Sequence, residues 1–266
     1  MSWRRRVIAT ELRKILAYRA DFWVNFLGQT LIQLFIARAL WQTIFRARGV
    51  DEMGGLTLGE MTLYYLLAPL TLKVLTGENI GFLSREIYDG GLNRYLVWPL
   101  NALRFKSLTY MTYALFYLLQ LFFLSSLGRL LLGMGPTVAD ALNLVLGGAV
   151  LILAAYLYFL LLSLCELVAF WADNTWSIGV MLRFIASFLG GGYLPLAFFP
   201  EFLQSVLAWL PFRSMITLPI MIFMGKAQFF DITEGLGILL LWLPLLSLAQ
   251  LWLWRRGNLR YTGIGM

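Results

Sequence analysis

The chain has 266 residues, of which 60% are hydrophobic and only 13% are charged, with a formal net charge of +7. An ordinary globular domain carries roughly 25% charged residues, so this composition excludes a soluble globular protein and indicates a polytopic all-α membrane protein. The chain lacks histidine, the commonest general base and metal ligand, and its lone cysteine, Cys165, lies in an apolar run. We therefore expect no catalytic residue, no metal site and a single transmembrane domain over residues 1–266.

The N-terminal segment is basic and carries apolar residues at helical spacings of three and four. Because its cations mostly fill the opposite face, the pattern predicts an amphipathic helix that lies in the membrane interface, close to anionic headgroups. The alternative is a basic flank that only sets the topology. The apolar positions of the predicted helix are Trp3, Val7, Ile8, Leu12, Ile15 and Leu16.

Six apolar runs approach or exceed the roughly 20 residues that a helix needs to cross a bilayer. Between the fifth and sixth runs, four prolines divide the chain into pieces too short to span. We expect these pieces to form an external re-entrant hairpin over Pro195–Met224. The six predicted spans are about Phe22–Phe45, Gly59–Gly77, Ser107–Leu132, Ala141–Phe170, Ile178–Leu196 and Gly235–Trp254.

The basic residues are distributed unequally between the two sides of this six-span arrangement. An even number of spans puts both termini on one side. Thirteen of the Lys and Arg residues fall there, in the N-terminal segment, the loop over Glu78–Lys106 and the C-terminal tail, against five on the other side. The positive-inside rule then places both termini in the cytoplasm of a multi-pass cell-membrane protein.

A compact polar segment, Arg85–Pro99, stands between the second and third predicted spans. Gly90 and Gly91 predict a turn, and Pro99 stops a helix shortly afterwards. Between these marks the apolar residues share one side of a short helix, with Arg94 on the other. Our hypothesis is that this segment lies on the membrane surface and receives force from a separate soluble protein. The alternative is an ordinary polar loop with a surface helix.

The sequence offers no energy source within the chain. It has no G-x-x-x-x-G-K-[ST] phosphate loop, so nucleotide hydrolysis is not expected of it. The candidate intramembrane carboxylates all lie near predicted span ends and give no convincing proton relay. These observations favour a permease driven by another protein, with an ion-coupled secondary transporter or a non-transporting membrane scaffold as alternatives. The carboxylates are Glu60, Glu78, Glu166 and Asp173.

The order of these features resembles the permease subunit of ABC-2 type exporters, which have the type V exporter fold, in its compact six-helix branch. The similarity extends over the whole chain, and a pattern E-I-x-x-G-x-L-x-x-x-L-x-x-P accompanies it. Here that pattern is Glu86, Ile87, Gly90 or Gly91, Leu92, Leu96 and Pro99.

The resemblance implies a dimer of this chain with a second copy or a related permease, bound to two separate ABC ATPase subunits and surrounded by membrane lipids, with no nucleic acid. ATP and Mg would be bound by the ATPase, and no cofactor by this chain. The segment between spans two and three would be a cytoplasmic coupling helix. Its implied ATPase contacts are Arg85, Glu86, Asp89, Gly90, Gly91, Leu92, Arg94, Tyr95 and Leu96.

The same resemblance directs attention to spans two and five for the substrate path. The residues expected to line it are aromatic or apolar, which suits hydrophobic or amphipathic cargo better than a long polysaccharide. Packing or lipid contact is the alternative role for each of them. They are Tyr64, Tyr65, Phe184, Phe188 and Leu189.

Overall fold

A computed structural model of the chain describes residues 3–17, 19–77, 81–97, 101–131 and 138–262. These ranges are almost entirely helical, which confirms the predicted all-α class. The only strands within them are β1 (Glu52–Met53) and β2 (Leu56–Thr57), which form a small antiparallel hairpin. The helices are α1 (Trp3–Ala17), α2 (Arg19–Arg48), α3 (Leu58–Thr76), α4 (Ser84–Tyr88), α5 (Asn93–Val97), α6 (Ala102–Leu131), α7 (Val138–Leu167), α8 (Trp176–Leu189), α9 (Glu201–Trp209), α10 (Pro211–Phe223) and α11 (Phe229–Asn258).

Three of the described helices, α6, α7 and α11, are long and apolar enough to cross a membrane. The pair α9 and α10 would make a fourth span if counted together, although the two helices are inclined by 100°. The other predicted spans fall in α2 with 30 residues, α3 with 19 and α8 with 14. At about 1.5 Å per residue, α8 reaches only about 21 Å, less than the roughly 30 Å of a bilayer core. Six spans therefore stay a prediction.

The fifth predicted span, Ile178–Leu196, ends earlier than its apolar run. Helix α8 stops at Leu189, and the chain then turns through three glycines. Gly191 has a φ of +87°, a conformation that ends a helix and that L residues rarely adopt. Apolar character alone overestimated this helix, because the turn is set by backbone conformation.

The proline-rich stretch after α8 forms two short helices, with Pro200 just before α9 and Pro211 at the first position of α10. Helix α10 packs against α3, α7 and α11 and is largely buried. Helix α9 instead exposes Phe202 and Trp209, each at 72%. The division into short pieces is as predicted, while the external re-entrant position of the pair stays a prediction.

The main hydrophobic core lies between α3, α6, α7 and α10 and contains the fully buried Tyr64, Tyr117 and Tyr158. Helix α3 begins with a capping box, since the Thr57 hydroxyl accepts from the Glu60 amide and the Glu60 carboxylate accepts from the Thr57 amide. The N-terminal helix α1 packs against α6. Together these contacts assemble one helical bundle around α7.

A substitution at the turn after α8 tests this part of the fold. In Gly191→Ala, a Cβ atom would meet the Thr217 hydroxyl and lie 3.0 Å from the Tyr64 hydroxyl, at a φ that costs alanine about 1 kcal/mol or more. We expect a lower melting temperature for the purified protein in detergent, measured by tryptophan fluorescence.

The matched control is Gly237→Ala in α11, where a Cβ atom would meet nothing within 4 Å. Because alanine favours a helix interior by about 1 kcal/mol over glycine, this variant should melt at the wild-type temperature or slightly above it. Equal melting of the two variants would contradict the tight turn at Gly191.

Candidate functional site

The candidate site contains the polar segment predicted at Arg85–Pro99. In the structure the corresponding unit is residues 81–97, and the name polar segment refers to these residues from here on. The polar segment forms two short helices, α4 and α5, joined by a turn at Gly90, whose φ is +70°. The Leu92 amide donates to the Glu86 carbonyl at 2.9 Å and closes this turn. Helical structure therefore lies on both sides of the glycine pair, where the sequence pattern predicted a single short helix.

The apolar side chains of the polar segment pack against the helical bundle. Ile87, Leu92 and Tyr95 are buried in a second hydrophobic cluster, separate from the main core. Leu167 at the end of α7 and Phe170 in the turn that follows belong to the same cluster. Trp254 near the end of α11 and Tyr261 just after it pack against the cluster. The segment thus rests on the ends of α7 and α11.

Glu166, near the end of α7, holds the beginning of the polar segment. Its side chain is 1% exposed. One carboxylate oxygen accepts from the Gly81 amide at 2.6 Å and the other accepts from the Leu83 amide at 2.7 Å. These amides lie at the start of α4, where backbone N–H groups lack partners within the helix. The buried carboxylate accepts from them and lies near the partial positive charge of the helix N-terminus.

Glu86, on α4, organises the other side of the segment. Its Oε1 atom accepts from the Arg94 guanidinium and from Lys106 Nζ, the latter at 3.0 Å. Lys106 Nζ also donates to the Phe82 carbonyl at 2.9 Å. Glu86 and Lys106 have side chains only 13% and 12% exposed, so this is a nearly buried ion cluster that joins α4, α5 and α6.

The predicted ATPase contacts consequently divide into two groups. Glu86, Leu92 and Tyr95 make internal contacts, and Arg94 reaches back to Glu86 although it is half exposed. Arg85 and Asp89 are exposed and, within the described residues, form no ion pair. The side chain of Leu96 and the residue Pro99 lie outside the described residues.

Two tyrosines add to the attachment of the polar segment. The Tyr88 hydroxyl donates to the Ala172 carbonyl at 2.9 Å, which ties α4 to the connection between α7 and α8. Burial, followed by the nearby Glu86 carboxylate, raises the pKa of the Tyr95 hydroxyl above its ordinary value. The shift moves the pKa of Tyr95 further from neutrality, where a tyrosine is already protonated and can donate a hydrogen bond.

The residues predicted for the substrate path occupy two environments. Tyr64 is fully buried and donates to the Gly191 carbonyl at 2.6 Å, and Tyr65 donates to the Tyr193 carbonyl at 3.1 Å. Both tyrosines thereby fasten α3 to the turn after α8. Phe184 and Phe188 lie parallel on the exposed side of α8, with ring centroids 6.1 Å apart.

Tyr193 connects these two groups. Its carbonyl accepts from Tyr65, while its half-exposed ring lies 6.0 Å from the ring of Phe184. Leu189 instead packs against the small cluster formed by Leu196, Phe199 and Leu207. The structure therefore links Tyr65 to the exposed α8 aromatics through a residue that the sequence pattern did not single out.

Glu166 and Lys106 are the residues whose role sequence reasoning missed. Glu166 was considered only as a possible proton carrier, because a carboxylate at the end of an apolar run is unusual. Its two oxygens are occupied by backbone amides, which gives the carboxylate a structural role. The useful signal was its position within an apolar run, but the partners lie more than 80 residues away in sequence.

Replacing Glu166 tests the attachment of the polar segment. In Glu166→Ala the Gly81 and Leu83 amides lose their acceptors, at a cost of about 1–3 kcal/mol for each buried group left unpaired. We expect amide hydrogen exchange over residues 81–88 to accelerate by about tenfold or more, with little change in α10. Glu166→Gln, which keeps one acceptor oxygen, should give an intermediate rate.

Glu201→Gln is the matched control, since Glu201 is exposed at the start of α9. Its exchange pattern over residues 81–88 should equal that of the wild type. Unchanged protection in Glu166→Ala would show that the hydrophobic cluster, the Glu86 ion cluster and Tyr88 hold the segment without Glu166.

Comparison with known proteins places this arrangement in a family. The family model of the ABC-2 family transporter protein matches residues 31–265. No curated protein and no solved structure matches the chain. The matched region contains the polar segment, its anchor Glu166 and the helices that carry the other predicted site residues. The chain belongs to the ABC-2 transporter family and is a multi-pass membrane permease of an ABC transporter.

Proposed function

We propose that this chain is the membrane-spanning subunit of an ATP-driven exporter, and that the polar segment is its contact with a separate ABC ATPase. One observation carries the proposal above the others. The polar segment is fixed to the bundle through Glu166 and the second hydrophobic cluster, while Arg85 and Asp89 face outward without an ion pair among the described residues. A segment that packs against the bundle on one side, and presents charges without an ion pair among the described residues on the other, is suited to bind a second protein.

The attachments of the polar segment provide a route for force into the membrane helices. A displacement of α4 would act on α7 through the two hydrogen bonds of Glu166. It would act on α6 through the contact between Glu86 and Lys106. It would act on the end of α11 through the apolar cluster around Leu92. ATP-driven closure of the partner subunits would then move three helices together.

The same contacts support the proposed orientation. The end of α11 packs beside the polar segment, because Trp254 lies against Phe170 at 6.1 Å between ring centroids. Helix α1 approaches the same end of α6, since Glu11 accepts from Tyr113. We therefore propose that both ends of the chain lie with the polar segment in the cytoplasm, in agreement with the distribution of basic residues.

The proposed cargo is a hydrophobic or amphipathic small molecule, which would pass between this chain and a second permease copy or a related permease. The exposed and parallel rings of Phe184 and Phe188, together with Tyr193, form an aromatic surface on α8. Tyr64 and Tyr65 would support that surface through the turn at Gly191. ATP and Mg would be bound by the ATPase, and this chain would bind no cofactor.

An ion-coupled carrier is the rival function, and it predicts that transport depends on an ion gradient instead of on ATP. It would need an intramembrane carboxylate that exchanges protons, with transport that continues without an ATPase. Transport by reconstituted protein alone, driven by an ion gradient, would favour the carrier. Transport only with the ATPase and ATP would favour the exporter.

Charge reversal on the free face of the polar segment tests the ATPase contact. Arg85→Glu should weaken association with the co-expressed ATPase subunits by about tenfold, or about 1.4 kcal/mol, because it reverses a charge at an interface while breaking no internal ion pair. Co-purification and ATP-dependent transport in proteoliposomes measure the effect. The purified chain alone should hydrolyse no ATP.

Arg48→Glu is the matched control, because Arg48 is equally exposed but lies at the end of α2 before the β hairpin. Its association with the ATPase should equal that of the wild type. Normal export by a folded Arg85→Glu variant would overturn the assignment of this face.

A further inference from the structure

A cavity of about 440 Å³ opens beside the polar segment, between α1, the end of α3, α5 and the start of α6. We propose that this cavity binds the phosphate headgroup of an anionic phospholipid. Its volume falls within the range of roughly 300–1,000 Å³ that is usual for small-molecule sites. The residues that line it are Glu11, Lys14, Val74, Gly77, Phe82, Arg94, Tyr95, Phe105, Lys106, Thr109, Tyr110 and Tyr113.

The charges around the cavity favour a ligand with a single negative charge. Glu86 lies behind the wall and is shared by two cations, Arg94 and Lys106, so this cluster carries one positive charge in excess. Lys14 and Glu11 form a separate balanced pair at 3.0 Å. The lining residues Glu11, Lys14, Arg94 and Lys106 carry two positive charges in excess, and the Glu86 carboxylate, which binds Arg94 and Lys106, reduces this excess to one. A headgroup with one negative charge balances it.

A buried hydroxyl group without a partner in the described part of the chain belongs to one of the lining residues, Thr109. A buried polar group of this kind normally finds an acceptor or donor. Tyr95, which like any tyrosine is protonated at neutral pH, lines the same cavity. A phosphate oxygen can accept from hydroxyl and ammonium groups together.

The apolar part of the wall distinguishes a lipid from free phosphate. Phe82 and Phe105 line the cavity together with its charged residues, and Lys106 Nζ lies 5.4 Å from the centre of the Phe82 ring. Inorganic phosphate would leave this surface unused, whereas the glycerol and the first acyl carbons of a phospholipid would cover it. Helix α1, which forms one side of the cavity, exposes Leu12 and Leu16, and its basic residues suit a membrane surface.

A bound headgroup would reinforce existing contacts, since α1 already packs against α6 and the Glu86 cluster already joins α5 to α6. Lys106 belongs to α6, Arg94 to α5 and Lys14 to α1, and all three line the cavity. A phosphate between them would connect the N-terminal helix to the polar segment through charge-assisted hydrogen bonds. The cavity is therefore a lipid-binding site that fastens α1 against the element proposed to contact the ATPase. The lipid site itself does not depend on that proposed function.

The test uses the full chain, delipidated in a nonionic detergent and then placed in nanodiscs. Discs of dioleoyl-phosphatidylcholine are compared with discs containing dioleoyl-phosphatidylglycerol, and inorganic phosphate is added to the former as a third arm. Phosphatidylglycerol should raise the melting temperature and remain bound in native mass spectrometry, while phosphatidylcholine and inorganic phosphate should not. Equal stabilisation by phosphatidylcholine would overturn the requirement for charge, and equal stabilisation by phosphate would overturn the lipid.

Two substitutions locate the effect. Lys106→Gln removes the cation and should weaken phosphatidylglycerol binding by about tenfold. Thr109→Val should weaken binding by about threefold and leaves the fold testable, because the threonine hydroxyl has no internal partner to lose. Arg48→Gln, at an exposed position outside the cavity, should bind as the wild type. Unchanged binding in a folded Thr109→Val and Lys106→Gln pair would place the lipid elsewhere and refute the site.

Discussion

The two hydrogen bonds of Glu166 are the constraint on which the candidate site depends. A carboxylate that is 1% exposed at the end of an apolar helix is expensive unless donors surround it. Here the donors are the Gly81 and Leu83 amides, which are themselves helix-terminal groups in need of acceptors. The carboxylate supplies acceptors and the amides supply donors, so separating α4 from α7 would leave the carboxylate and both amides without these hydrogen bonds. The polar segment and α7 therefore behave as one mechanical unit.

The Glu86 cluster adds a second attachment of a different character. Burial of Glu86 and Lys106 makes removal of either partner costly, because the other would be left as an unpaired charge. Arg94 completes the cluster from its half-exposed position. Charges in the polar segment thus serve two purposes, since Glu86 joins three helices while Arg85 and Asp89 form no ion pair within the described residues. A charge pattern in sequence does not separate these roles, because both kinds of residue occupy polar positions of the same short helices.

Local sequence patterns predicted the helices of this protein better than they predicted the contacts between those helices. The apolar runs located α6, α7 and α11, and the glycine pair located the turn between α4 and α5. The length of α8 was overestimated, because Gly191 turns the backbone within a run that is still apolar. The attachments of Glu166 to residues 81 and 83, and of Tyr64 to residue 191, join positions far apart in the chain. Such pairs follow from how helices pack, which periodicity in one helix does not encode.

The ion pairs at the other end of the bundle are more exposed than the pair of Glu86 and Lys106, although Lys226 approaches Glu60 at 2.6 Å. Away from the polar segment, Arg213 reaches Asp231 at 3.9 Å and Glu234 at 4.0 Å, with these side chains 36–40% exposed. Exposed pairs at such distances contribute about 0–1 kcal/mol, far less than a buried carboxylate with two amide donors. Apolar packing, and not these ion pairs, therefore holds α10 against the start of α11, where Gly235 lies directly against Leu218.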